Sequence, residues 1–230
     1  MTQRFIITLI GFVVLLALIA GGAAWYLVSS HKQAVGVPSE QATTTAQNFN
    51  GQAIYTNGPQ GFVIRYPETA EVEDTFSTFY HLGSSWRANA LTNGTGTPVV
   101  AIVTYDTKSD HSYPRYYSTM VRIGVSEDKK EVAACLTATK DQGETPLPDV
   151  TFGGVTWKAF AFQNAGMMQY VKGVSYRTVH EGKCVALEKI AAGSNYRDDP
   201  KSAEDIADTE LEAHYAALDQ VVETFMFVRP

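Results

Sequence analysis

The sequence predicts an α+β fold, a mainly antiparallel sheet flanked by helices, preceded by one N-terminal transmembrane helix. Three observations predict it. The chain opens on a long apolar run without charge, continues through short strand-like segments punctuated by Gly and Pro, and closes on one segment with helical periodicity.

The apolar run comes first. Residues 5–31 lack Asp, Glu, Lys and Arg, and Phe5 to Val28 are almost wholly apolar. A helix over 5–28 is about 36 Å long at 1.5 Å per residue, enough to cross a hydrocarbon core about 30 Å thick. Lipid cannot satisfy an exposed backbone, so the segment is expected as helix. Trp25 and Tyr26 stand near its end, where amphipathic rings favour the interface. Arg4 and the amino terminus oppose Lys32 and His31, which favours residues 1–4 inside and the rest outside. A cleaved signal peptide is the alternative, with small residues at Gly22-Ala23-Ala24, although its apolar region is usually shorter.

Residues 29–50 form a polar linker. The stretch 33–50 is rich in Gln, Thr, Ala and Ser and holds no sustained period. Eighteen such residues have a mean reach of roughly 20–25 Å. The remaining residues, 51–230, are expected as one extracytoplasmic globular domain. Of 18 basic and 24 acidic residues, only Arg4, Lys32 and Glu40 precede residue 51, so 51–230 carry a net charge of -7. An acidic domain without a basic stripe disfavours nucleic acid as a partner.

Within the domain, Phe62, Ile64 and Tyr66 alternate with Val63 and Arg65, and Pro67 ends that strand. Val99–Tyr105 is apolar on both faces and reads as a central strand. Val155–Phe162 shifts its apolar phase between Trp157 and Phe160, which predicts a bulge or strong twist. Val174–His180 and Lys183–Ile190 flank Glu181-Gly182 as a hairpin. Asp128 and Glu131 form a capping-box pattern for a short helix ending near Leu136. Pro200 and Ser202, followed by Glu204 and Asp205, predict a second helix start. Leu211, Tyr215, Leu218, Val222 and Phe225 then lie on one helical face, and Phe225–Val228 turns into a short strand.

The segments GFVIRYP (61–67) and TFMFV (224–228) resemble those of membrane-anchored relatives of the PsbP/Mog1-like domain superfamily. That resemblance, over about residues 55–228, implies an antiparallel sheet flanked by helices and an accessory or assembly role. It supplies no ligand residues that match this chain.

Cys135 and Cys184 are the two thiols, and their even number outside the cytosol predicts a disulfide. No Cys-x-x-Cys, His-Glu-x-x-His, Gly-x-Ser-x-Gly, phosphate-binding loop or EF-hand is present, so no catalytic, metal or cofactor residues are assigned. His180 reads as a solvated hairpin histidine, and His214 as a surface or cap-like residue of the last helix. The crowded acids Asp198–Glu212 read as a wet helix front. The strongest contact candidate is His111, Tyr113, Arg115, Tyr116 and Tyr117, whose rings and charge suit a sugar or a peptide. The competing reading sends the tyrosines to the sheet edge or the core.

The expected function is a single-pass, non-enzymatic binding or accessory/assembly protein of the cell envelope, with the membrane held through 5–28 and another envelope protein as partner. One alternative is an envelope hydrolase that gathers His111 or His180 with a carboxylate and a hydroxyl. The other is a structural subunit without its own ligand.

Overall fold

The computed structural model describes residues 51–76, 78, 82–91, 95–107, 115–194 and 205–228. All of them belong to the unit Ala42–Pro230. The segments 1–4, 5–28 and 29–50 lie outside the described residues. Among the described residues, no helix is long and apolar enough to cross a membrane.

The chain order begins with β1 (Gln52–Asn57), β2 (Phe62–Pro67), β3 (Glu71–Glu73), β4 (Thr97–Asp106) and β5 (Tyr117–Ser126). Then come α1 (Lys129–Ala134), β6 (Thr145–Pro146), β7 (Val150–Phe152), β8 (Val155–Gly166) and β9 (Gln169–His180). It ends on β10 (Lys183–Ser194), α2 (Asp208–Glu223) and β11 (Met226–Phe227). The large sheet runs β3-β4-β5-β10-β9-β8-β6, with β7 also on β8, and a small sheet runs β1-β2-β11. Every recorded pairing is antiparallel.

The α+β expectation therefore stands. The two segments that carry the family resemblance meet in the small sheet, where Phe227 pairs with Phe62 and the Val228 N–H donates to the Gly61 carbonyl at 2.8 Å. The β9–β10 hairpin turns at Glu181-Gly182, both in the left-handed region at φ 49° and 78°. That is the geometry a two-residue hairpin turn asks of its residues.

Two local expectations are corrected. Between β8 and β9 the register runs unbroken from Lys158 to Gly166, so no bulge separates Trp157 from Phe160 there. Their phase shift arises because both faces are covered: Trp157 joins the core under α2, and Phe160 lies beneath Arg177 on the opposite side. The register shifts fall instead on β4, between Pro98 and Val100 and between Val103 and Tyr105. The central strand is β10, buried from Cys184 to Gly193, whereas β4 is followed outward only by the three-residue β3.

One face of the large sheet is apolar. Val121, Ile123, Val185 and Leu187 meet Phe62 and Ile64 of β2 and Leu218, Val221, Val222 and Phe225 at the end of α2. Phe62 and Phe225 stack at 5.2 Å, and Trp157 meets Phe225 edge-on at the same separation.

The other face is covered by irregular chain, and its chemistry differs accordingly. Buried backbone outside helix and sheet must find partners for its N–H and C=O groups. Buried arginines and glutamates supply them. Arg122 donates to the carbonyls of Gly83 (3.2 Å) and Ser85 (2.7 Å). Glu188, opposite Arg122 in the ladder, accepts from the Ala88 N–H at 3.0 Å. Glu131 accepts from the Leu91 N–H at 2.7 Å and pairs with Arg87 at 3.0 Å. Glu144 accepts from the Thr139 N–H at 2.7 Å and pairs with Arg177 at 2.5 Å. Burial holds the Arg122 guanidinium down to about 10, with Glu188 opposing that shift.

The short helix α1 shows the same demand. Asp128 caps it, accepting from the N–H groups of Lys130 and Glu131. Glu131 does not complete a capping box, because its carboxylate turns inward to Arg87, Leu91 and Thr95. Cys135 directly follows α1 and is bonded to Cys184 of β10, with Cα atoms 5.6 Å apart. Trp86 and Ala186 pack around that bridge. Gly124 is required beside Trp86, since a Cβ there would run into the Trp86 carbonyl.

Alkylation of unfolded, unreduced protein is expected to label neither cysteine, and labelling after reduction to reach both. Mass spectrometry checks this. The double Cys→Ala variant should lose about 4 kcal/mol of unfolding free energy.

The charged face predicts an acid response. Burial alone would raise the Glu144 carboxyl, but Arg177 beside it prevails and holds it below the ordinary carboxylate range. Its stabilisation is thus complete above the unfolded value of about 4.3 and is lost as pH falls through the folded value. Urea midpoints should fall below roughly pH 4. Glu144→Gln should flatten that pH dependence and cost about 3–5 kcal/mol at neutral pH by stranding Arg177.

Candidate functional site

The site lies at the end of the large sheet where β5 begins, β10 ends and α2 enters. Thr107 closes the segment between β4 and β5. Its N–H donates to the Tyr117 carbonyl at 3.0 Å, and the Tyr117 N–H donates back to its hydroxyl at 2.8 Å. One residue earlier, the Tyr116 N–H donates to the Ser194 hydroxyl and the Ser194 N–H to the Tyr116 carbonyl, both at 2.8 Å. These bonds carry the β5–β10 pairing past its last ladder residue and leave the Tyr116 ring half-buried at the sheet end.

Of the five residues singled out in the sequence, His111 and Tyr113 lie outside the described residues. The other three take different roles. Tyr117 is structural: it is buried, and its hydroxyl donates to the Leu211 carbonyl of α2 at 2.9 Å. Burial and then the neighbouring Tyr170 push that hydroxyl far above the ordinary tyrosine value. Tyr116 packs against the cluster of Leu82, Phe162, Val171, Ile190 and Ala192, and its hydroxyl donates to Asp106 at 3.3 Å. Arg115 turns across to Asp205 at 3.4 Å, with side chains 19% and 3% exposed.

Together these residues wall a cleft of about 180 Å³, completed by Tyr170, Ser194, Ile206, Asp208 and Leu211. Tyr170 is the member that sequence reading missed. It sits on β9 opposite Gly193, and the ring lies where a Cβ at Gly193 would approach it at 3.1 Å. Its hydroxyl is pushed up to about 12 by burial and then by the charges of Glu212 and Asp208. The glycine opposite a tyrosine is the signal that could have paired them, but only with the β9–β10 register in hand.

Of the crowded acids, Asp208, Glu210 and Glu212 are exposed on the first turns of α2, as expected, and Asp205 departs from that reading. Asp205 is not a wet helix front, since it is buried against Arg115. The helix begins at Asp208 with Ala207 as a cap that makes no side-chain bond. The expected start at Pro200 and Ser202 lies outside the described residues. Neither described histidine is simply solvated. His214 stacks on Tyr105 at 3.8 Å, and His180 stacks on Phe227 at 3.7 Å. Neither lines the cleft.

The cleft offers tyrosine rings and hydroxyls, the Arg115–Asp205 pair and the Asp208 carboxylate. Burial keeps the Tyr117 and Tyr170 hydroxyls protonated at neutral pH. Among the described residues, no group of three or more His, Cys, Asp and Glu is placed to hold a metal ion.

Removing the Tyr117 hydroxyl should separate structure from recognition. Tyr117→Phe removes the bond to the Leu211 carbonyl and is expected to cost about 1 kcal/mol. Tyr116→Ala, at a half-buried ring, should perturb the cleft without that loss of a helix contact. Chemical denaturation of the two variants compares them.

No family model matches the chain, and no curated protein matches it. Its structure is similar to the solution structure of cyanobacterial PsbP from Synechocystis sp. PCC 6803, with a TM-score of 0.38 and 11% identity, over 78% of this chain and 94% of that one.

Proposed function

We propose that this chain is a single-pass membrane protein whose extracytoplasmic domain binds another component of the cell envelope and serves it as an accessory or assembly factor, without catalysing a reaction of its own. The observation that carries the binding role is the cleft: Tyr116, Tyr117 and Tyr170 with a half-buried Arg115–Asp205 pair, gathered where three strands and a helix end. Aromatic rings beside an arginine are the residue types that anchor protein and glycan contacts.

Three features support the setting. The apolar residues 5–28 are long enough for a span, residues 29–50 suit a tether, and the Cys135–Cys184 bridge suits an oxidising compartment. Tethering raises the local concentration of the domain, so a modest contact becomes effective. The hydrolase alternative calls for His111 or His180 beside a carboxylate and a hydroxyl. His180 is instead held against Phe227, away from the residues that line the cleft.

Crosslinking in native membranes, followed by purification of the full chain, tests the reading. The chain is expected in the membrane fraction after alkaline extraction. The wild type should recover a partner that Arg115→Ala with Tyr116→Ala loses, while Tyr117 is kept to preserve the fold. Equal recovery by both removes the cleft from the proposal, and release by alkaline extraction removes the anchor.

A further inference from the structure

The turn between β8 and β9 is built from residues that suit neither the backbone nor the solvent. Gly166 pairs with Gln169, so Met167 and Met168 are the two central residues. Both lie in the left-handed region, at φ 49° and 61°. A turn of this shape favours Asn and Gly, because a side chain is strained there. Met167 is 91% exposed and Met168 58% exposed, so packing within the domain compensates neither. The hairpin is also electrically blank: residues 159–171 hold no Asp, Glu, Lys or Arg, in a domain with a net charge of -7.

The tip lies at the same end of the sheet as the cleft. The register sets Gln169 opposite Ser194 and Tyr170 opposite Gly193, and Ser194 and Tyr170 both line the cleft. Strain, apolar exposure and neutrality thus coincide beside the aromatic site.

We propose that the Met167–Met168 tip inserts into the interface of a lipid bilayer and docks the domain with Tyr116 and Tyr170 near headgroup level. The inference rests on the membrane-anchored reading above. Three observations favour a bilayer over a groove on a partner protein, and the two flexible, unbranched, uncharged side chains suit either surface. The neutral stretch is the part of an acidic domain that meets an anionic surface with least repulsion. Tyrosine rings stand directly behind the tip, where amphipathic rings favour the membrane–water boundary. The 22 residues of 29–50 span roughly 23–28 Å on average, which keeps the domain as a whole within reach of the bilayer. Held there, two methionines need not retain a free domain by themselves.

Chloramine-T oxidation of the full chain in phosphatidylcholine nanodiscs tests this, with each methionine followed by mass spectrometry. Met226 on β11, 49% exposed, is the internal reference. A free tip oxidises faster at Met167 than at Met226, in the order of their exposure. An inserted tip inverts that order, and this inversion is the expected result. The variant Met167→Asn with Met168→Gly should melt at a higher temperature, as strain is relieved, yet leave Tyr170 more accessible to an aqueous quencher in nanodiscs. Incorporation into nanodiscs is scored first and reports on the anchor alone. If the chain does not incorporate, the anchor reading fails and the same ratio is measured with added phosphatidylcholine vesicles, where protection still supports insertion. Met167 oxidising faster than Met226 with lipid present overturns the proposal in either format. Protection that appears only with a co-purified protein overturns it in favour of a protein groove.

Discussion

The fold depends on how one face of a β-sheet can be covered by chain that, apart from short helical turns, is neither helix nor strand. Segments 82–91 and 137–144 bring backbone groups that no ladder satisfies. Arg122, Arg177, Glu131, Glu144 and Glu188 meet those groups from below, with Arg87 joining two of the glutamates. Each carboxylate or guanidinium is buried, and each is tied to backbone, to an opposite charge, or to both. A buried ionic set of this kind contributes little net stability, because desolvation offsets much of the attraction. Its removal in part is costly, since what remains is an uncompensated charge.

The disulfide belongs to the same face. It fixes the end of α1 to the central strand, and α1 presents Glu131 to Arg87. The bridge therefore limits where that carboxylate can go as well as restricting the unfolded chain. Trp86 fills the space between bridge and strand, and Gly124 leaves room for its backbone.

The opposite face is joined to α2 by apolar packing and by two lysines. Lys172 and Lys189 lie near the Tyr215 ring, at 5.0 and 4.2 Å, while pairing with Glu212 and Asp219 of the helix. Docking the helix this way sets its first turn over the sheet end. The Leu211 carbonyl then receives Tyr117, Asp205 reaches Arg115, and the cleft results. The site is a consequence of where the helix begins relative to the ends of β5 and β10.

Period and punctuation made much of the architecture legible. Strand β2, the Glu181-Gly182 hairpin, the short helix capped by Asp128 and the terminal β11 all follow from local patterns whose causes are local: alternation, left-handed turn residues and a side-chain cap. The Cys135–Cys184 pairing followed from there being two cysteines. The patch 111–117 was visible as residue types, but only position decides that Tyr117 holds α2 while Arg115 and Tyr116 line a cleft.

The amino-acid sequence alone determined that this chain pairs strands antiparallel, closes on an amphipathic helix and crosslinks its two thiols, because those outcomes depend on neighbours in the chain or on a count of two. The tertiary structure alone decided which charges are buried, which tyrosines meet, and that Met167 and Met168 protrude beside the cleft. Those depend on register between strands distant in sequence and on which face each element covers, and no local pattern encodes either.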